Sequence, residues 1–339
     1  KSGSTVDAIK KDQIKISSKI DLKIKKTDEI SLSNSMAISL NKTTKELIRI
    51  KPHIVILLGD RYELLSSAIS CMLLNIPIGH IHGGELTEAA FDDSIRHSIT
   101  KMAHLHFVSN NTYKKRVIQL GENKNNIHVV GGLGLDNFKY IKLLTKKELE
   151  KNLKIKFLKK SCLVTFHPVT LEKNSLFQLK QLLDSIKSFK EITFIITSPN
   201  ADTIGMKMKK LILTYVKKHN NFHFFNSLGQ LKYISSINVV DFVLGNSSSG
   251  VIEVPELNKY TINVGNRQKG RLMAKSIIQC NPNKKEITKK INLIYKKYIK
   301  KKLKNNSKLY GESGASLKIY NILKKTNFEN LINKKFYDQ

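Results

Sequence analysis

Short continuous apolar runs recur along the chain, and each is followed by a stretch in which apolar residues return every three or four positions. The run Ile54-Val55-Ile56-Leu57-Leu58 is too short for a helix and rich in β-branched side chains, the pattern of a strand buried on both faces. The same reasoning predicts strands at 76–81, 104–108, 127–130, 163–166, 192–197, 223–225, 239–244 and 260–264. Helical periodicity predicts helices at 31–50, 62–74, from 92, at 112–120, 174–189, 205–218, 228–236, from 251, and in the tail at about 284–303 and 313–325. Isoleucine and leucine at period two suggest one further short strand within 12–24. Strands alternating with helices imply parallel sheets, because a crossover helix returns the chain to the same end of the sheet. Residues 140–160 are lysine-rich and polar and read as a linker. The expected architecture is therefore α/β: two doubly wound, Rossmann-like domains, 1–150 and 151–339, facing a cleft, with the two tail helices in the second.

Length and composition agree with this picture and narrow it. The chain has 339 residues, enough for two domains, and is 40% hydrophobic with no low-complexity tract. No apolar run approaches the ~20 residues of a membrane span, so no membrane partner is expected. The cysteines Cys71, Cys162 and Cys280 are scattered, odd in number and set in apolar segments. They read as buried free thiols of a cytoplasmic protein, and no signal-peptide pattern is visible. The net charge of +32 raises the question of nucleic acid. Lysine, however, is spread along the whole chain without an aromatic-interleaved basic motif, so solvated helix faces explain it and no nucleic-acid partner is expected. The one concentrated run, Lys296 to Lys304, reads as an exposed helix end.

Candidate chemistry collects where strands end. The first strand runs into Gly59-Asp60-Arg61 and the second into His82-Gly83-Gly84-Glu85, while Asp92-Asp93-Ser94-Ile95-Arg96-His97 opens a helix. In the second half, strands run into His167-Pro168-Val169-Thr170, Ser198-Pro199-Asn200 and Asn266-Arg267-Gln268. Carboxyl ends of parallel strands are where ligands bind in an open α/β sheet. The most pointed of these junctions is Gly245-Asn246-Ser247-Ser248-Ser249-Gly250, between a buried strand and Val251-Ile252-Glu253-Val254, read as the first helical turn. Free backbone N–H groups and serine hydroxyls at a helix N-terminus suit a phosphate. Glu253, about two turns in, is placed to accept hydrogen bonds from sugar hydroxyls. An ordinary serine-capped turn explains the same residues equally well, since neither a P-loop nor G-x-G-x-x-G is present. Nothing has metal-ligand spacing, so neither a metal nor a nicotinamide cofactor is expected.

Taken in order, Gly59-Asp60-Arg61, His80-Ile81-His82-Gly83-Gly84-Glu85, Asp92-Asp93-Ser94-Ile95-Arg96-His97, His167-Pro168-Val169-Thr170, Asn246-Ser247-Ser248-Ser249-Gly250 with Glu253, and Asn266-Arg267-Gln268 resemble the hydrolysing UDP-N-acetylglucosamine 2-epimerases of sialic- and legionaminic-acid-type sugar biosynthesis. The resemblance covers about residues 30 to 280 and implies a glycosyltransferase-B-like fold, a UDP-sugar substrate, no cofactor, and a homo-oligomer, dimer or tetramer. It implies a reaction in which UDP leaves C1 as the C2 proton is removed, and water then adds to the glycal to give N-acetylmannosamine and UDP. Asp60 and Asp92 match catalytic candidates of the family; His82 and Glu85 compete for a third catalytic position, where some relatives carry glutamate. His167, Ser247 and Ser248 match groups that hold the diphosphate, Glu253 one that binds ribose, and Arg267 an arginine near the nucleotide; Arg61 and Asn200 are further candidates for substrate contact. Arg61, Asp93 and Arg96 read equally as partners in ordinary ion pairs, and His80, His97, His104 and His106 as structural.

Family members begin with a strand and a Gly-Thr-Arg-like turn, and about fifty residues of that kind are missing before Lys1: either the sequence is a fragment, or the natural chain is truncated, in which case the first domain lacks an inner strand and activity is in question. Three readings compete: the hydrolysing epimerase, acting on UDP-N-acetylglucosamine or on its 2,4-diacetamido-trideoxy analogue; a non-hydrolysing epimerase or glycosyltransferase of the same fold; and an inactive nucleotide-sugar binder. Non-hydrolysing relatives tend to carry Gly-Asp-Thr and Glu-Ala-Gly-Leu-Arg, which Gly59-Asp60-Arg61 and His82-Gly83-Gly84-Glu85 do not match.

Overall fold

Among the described residues the chain builds two all-parallel sheets, of four and six strands. The computed structural model describes residues 6, 9–10, 12–22, 28–86, 92–169, 174–200, 203–299, 303 and 309–338. The described residues form two compact units: one holds the chain up to residue 136 together with Tyr310 onward, the other residues 137–309.

In the first unit, β1 (Val55–Leu58), β2 (Ile78–Ile81), β3 (Leu105–Val108) and β4 (Ile127–Val129) lie in sequence order. Helices α1 (Glu29–Ile50), α2 (Tyr62–Leu73) and α3 (Asp92–Met102) supply a core in which Leu47, Ala68, Cys71, Ile95 and Ile99 pack with Leu57 and Ile78 of the sheet. Helix α4 (Asn111–Gln119) joins β3 to β4. A separate core, of Ile81, Leu105, Phe107 and Val130, is closed by Ala315 and Ile319 of the C-terminal helix Ala315–Lys325. Asp136 fixes that helix, accepting the backbone N–H groups of Gly314, Ala315 and Ser316 at 2.5, 2.8 and 2.7 Å. The C-terminal helix thus belongs with the first unit and not, as its place in the chain suggests, with the second. Residues 12–22 form no strand: their isoleucines alternate, but the segment is largely exposed and pairs with no strand among the described residues, while residues 23–24 of the predicted strand lie outside those described.

The second unit opens with α5 (Lys146–Leu153), where the sequence suggests a linker. Thr145 and Glu148 form a capping box, and Leu149 and Leu153 are buried with Leu163, Ile195 and Val243. The lysines of this segment cover the solvent side of an amphipathic helix. The sheet comprises β5 (Lys160–Thr165), β6 (Ile192–Thr197), β7 (Phe222–Phe225), β8 (Phe242–Gly245), β9 (Tyr260–Val264) and β10 (Ile277–Cys280), in the order β10-β9-β8-β5-β6-β7. Helices α6 (Ser175–Ile186), α7 (Thr203–Val216), α8 (Gly229–Val239), α9 (Ser249–Glu256) and α10 (Lys284–Leu293) connect or follow the strands. Strand β10 has no counterpart in the pattern reading; it is an edge strand of four residues, three of them only partly covered or exposed. Helix α8 runs to Val239, into the predicted strand, and α9 begins at Ser249, two residues ahead of its predicted start.

Cys71, Cys162 and Cys280 are free and buried, and burial pushes the thiols of Cys71 and Cys280 up to about 12. No described helix is long and apolar enough to cross a membrane.

Candidate functional site

The junctions at the carboxyl ends of β1 and β2 meet on one side chain. Arg96, on α3, is 2% exposed and donates through Nη2 to Asp60 Oδ2 and through Nη1 to the Glu85 carbonyl at 2.9 Å and Asp93 Oδ1 at 3.3 Å. A buried guanidinium costs several kcal/mol unless its donors are paired, so these partners are held in place as much as they hold it. Gly59 makes the turn after β1 at φ 93°, and its carbonyl accepts from His80 Nε2 at 2.8 Å. His80 Nδ1 then accepts from the Thr100 hydroxyl at 3.0 Å, and burial pushes the imidazole down to about 4, so it stays neutral and locks β1, β2 and α3 together. Beyond β2, His82 adopts φ 68°, a left-handed conformation that costs a non-glycine residue about a kcal/mol or more. That turn brings its Nδ1 within 2.7 Å of Glu85 Oε1. The Glu85 side chain is 4% exposed and that of His82 22%. A buried carboxylate thus fixes the orientation of the imidazole, with Nδ1 on Glu85 and Nε2 as the nitrogen that Glu85 does not engage. Gly84, at φ 76°, passes so close to α4 that a Cβ would lie 2.5 Å from the Tyr113 carbonyl, and its own carbonyl accepts from Arg116 at 2.5 Å.

Asp60, His82 and Glu85 are therefore gathered in one cluster, with Asp93 and Arg96, which read from sequence as ordinary ion-pair partners, at its centre. The available signal for Arg96 was its position on α3 between Ile95 and Ile99, where an arginine needs a buried partner. Asp92 is the first residue of α3, where a carboxylate suits the helix dipole. The Arg61 side chain is 65% exposed, with Nε on Glu63 at 2.6 Å and Asp92 among the charges near it.

In the second unit the strand order reverses between β5 and β8, and the serine turn stands at that switch point. This is where an open α/β sheet leaves a crevice beyond its strand ends. Gly245, at φ 141°, passes so close to β5 that a Cβ would lie 1.9 Å from the Thr165 carbonyl. The buried Asn246 amide spans the crevice, accepting from the His167 N–H at 2.7 Å and donating to its carbonyl at 2.8 Å. The Asn246 carbonyl accepts from Arg267 at 3.1 Å and Gln268 at 2.9 Å, so the ends of β5, β8 and β9 are tied by one residue. Beside it is a pocket of about 450 Å³ lined by Thr165, His167, Thr197, Ser198, Tyr233 and Ser247, among others. His167 Nδ1 is buried and makes no hydrogen bond among the described residues, and burial, with Arg267 nearby, pushes the ring down to about 3. Ser248 occupies the position before α9 without a capping hydrogen bond from its side chain, and Glu253 is the fifth residue of that helix, nearer its start than two turns. Asn200 is exposed and does not line the pocket, while Thr197 and Ser198 just before it do. Tyr233, whose hydroxyl lies among Thr165, Ser247 and Ser249, escaped the sequence reading because α8 there carries only an ordinary apolar pattern. Thr170 falls outside the described residues.

Two parallel α/β units, one with charged side chains gathered at its strand ends and one with a serine turn at a switch point, define the class of protein: an open α/β fold of the kind that receives ligands beyond the carboxyl ends of its strands. The chain belongs to the UDP-N-acetylglucosamine 2-epimerase family, whose model matches residues 3–324. It is 42% identical over 283 residues to the GDP/UDP-N,N'-diacetylbacillosamine 2-epimerase (hydrolyzing) of Campylobacter jejuni, covering 83% of this chain and 73% of that one. It is 38% identical to polysialic acid biosynthesis protein P7 of Escherichia coli, covering 99% of this chain and 86% of the other. Among solved structures, S. aureus MnaA with UDP superposes with a TM-score of 0.77 at 18% identity, over 99% of this chain and 90% of that one. The Neisseria meningitidis UDP-GlcNAc 2-epimerase bound to UDP-GlcNAc gives 0.79 at 17%, over 95% and 89%. At these identities the structures establish the shared fold.

Proposed function

We propose that the protein is a hydrolysing 2-epimerase that converts a UDP-linked 2-acetamido sugar into UDP and the free 2-epimeric sugar. The observation that carries this reading is the cluster in which Arg96 holds Asp60 and the Glu85 backbone while Glu85 orients His82. Elimination across C1–C2 needs a base for a weakly acidic C–H, and hydration of the resulting glycal needs a group to return a proton to C2 and one to activate water. Asp60, Asp92 and the His82–Glu85 pair supply carboxylates and an oriented imidazole for these transfers. The serine turn supplies the other half: Ser247, Ser248 and the α9 N-terminus hold the diphosphate, with the unpartnered Nδ1 of neutral His167 as a further donor and Glu253 on the ribose.

For the sugar, we favour UDP-N,N'-diacetylbacillosamine, because that substrate appears in the names of relatives 42% and 32% identical to this chain. The competing substrate is UDP-N-acetylglucosamine, after a Neisseria meningitidis relative 33% identical over 238 residues. Incubation with each nucleotide sugar, followed by NMR of the products, tests both levels. Free UDP with a 2-epimeric sugar is expected, faster from the diacetamido substrate. UDP still attached to an epimerised sugar, or no turnover of either, contradicts the reading. We also infer a cytosolic protein, where nucleotide sugars are made and three buried thiols stay reduced.

A further inference from the structure

A second and larger cavity lies in the same unit, at the amino-terminal ends of β5, β6 and β7, opposite to the strand ends that carry the serine turn. Its volume is about 590 Å³, within the range of small-molecule sites. Three segments bring lysines to it: Lys156 precedes β5, Lys190 lies between α6 and β6, and Lys218 between α7 and β7. No carboxylate lines it. The carboxylates on the flanking segments are engaged elsewhere: Glu150 with the Phe157 N–H, Glu191 with Lys160, Asp184 with Lys187 and Tyr215. Among the described residues none of the three lysines forms an ion pair.

The floor is fixed. Thr193 Oγ1 accepts from the Leu158 N–H at 2.8 Å, and Asn221 Nδ2 donates to the carbonyls of Phe189 and Ile192 at 2.9 and 2.7 Å. Lys190 donates to His219 Nδ1 at 3.1 Å, which leaves the ring proton on Nε2 as a second donor, and the ring is packed 5.0 Å from that of Phe222. Lysines are common over the surface of this chain, but there they are dispersed. Here three converge from separate loops on one concavity with no counter-charge, an arrangement whose mutual repulsion an anion relieves.

We propose that this cavity binds a small polyanion carrying two or more phosphate groups. The test is calorimetry on the full chain at about 0.15 M salt, where dispersed surface charge is screened, with inorganic tripolyphosphate as the probe and hydrogen exchange to locate it. Saturable binding with protection at residues 187–194 and 217–223 is expected. The Lys190→Gln/Lys218→Gln double variant should bind at least tenfold more weakly, the scale of a lost charge-assisted contact. A control pair at exposed positions elsewhere, Lys45→Gln/Lys289→Gln, should leave binding unchanged. ATP as a second probe separates the sources: tighter binding than tripolyphosphate means the base is read, equal binding that the phosphate chain suffices. No binding, protection confined to 245–250, or equal weakening by the control pair would overturn the proposal.

Discussion

Arg96 shows how one side chain turns a set of loop residues into a site. Its guanidinium has left water for a place where Asp60, Asp93 and the Glu85 carbonyl supply the lost solvation. Removing a partner from such a buried set costs about 3–5 kcal/mol, so Arg96→Ala should lower the unfolding free energy by that amount in urea titrations. Asp60→Asn is different, because Asp93 and the Glu85 carbonyl still satisfy the arginine. That variant should keep UDP affinity by calorimetry and lose turnover by roughly 10²-fold or more; near-normal turnover would reduce Asp60 to a partner of Arg96. The motif residues at these strand ends were legible in the sequence because small and charged residues interrupt apolar runs. The hub was not, because Asp93 and Arg96 three apart on a helix look the same whether the pair is solvated or buried, and only packing decides which.

At the scale of elements, the serine turn depends on how closely β8 approaches β5. A methyl group at Gly245 would collide with the Thr165 backbone, which cannot move without breaking the β5–β8 ladder. Gly245→Ala should therefore lower the melting temperature and weaken UDP binding together, whereas Ser247→Ala should weaken binding, by roughly 1–3 kcal/mol, with little change in melting. The C-terminal helix rests on a comparable device. Hydrogen bonds from Ser316, Gly314 and Ala315 outweigh burial and hold the Asp136 carboxyl below its usual range. A carboxylate with a depressed folded pKa stabilises above its unfolded value, about 4, and that stability is lost as pH falls through the lower folded value. Asp136→Asn should thus cost about 1–2 kcal/mol at pH 7, and the gap between variant and wild type should narrow progressively once the pH falls below the unfolded value of about 4 in denaturant titrations. The strands of both sheets were readable as apolar runs, but α5 was hidden by its lysines and β10 by being a half-exposed edge. The attachment of the last helix to the first unit rests on contacts between residues far apart in sequence, to which local periodicity is blind.

For the molecule as a whole, buried neutral histidines set the response to acid. Burial pushes His80 and His104 down to about 4 and His167 to about 3, and lowers His106 as well. The unfolded chain takes up protons at these rings as pH falls through about 6.5 while the folded chain does not, so stability drops between there and the folded values. Urea midpoints should fall from pH 7.5 to pH 5, and replacing His80 with glutamine should make that slope shallower. The central claim, however, concerns chemistry: these residues serve an elimination in which the C2 proton is lost and UDP departs, followed by addition of water. Turnover of the UDP-sugar in deuterium oxide tests it most directly, with the free sugar examined by NMR and mass spectrometry. The account requires free UDP and one deuterium at C2 of the epimerised sugar, because the proton delivered in hydration comes from exchanged solvent. A product that retains protium at C2, or that still carries UDP, would contradict it.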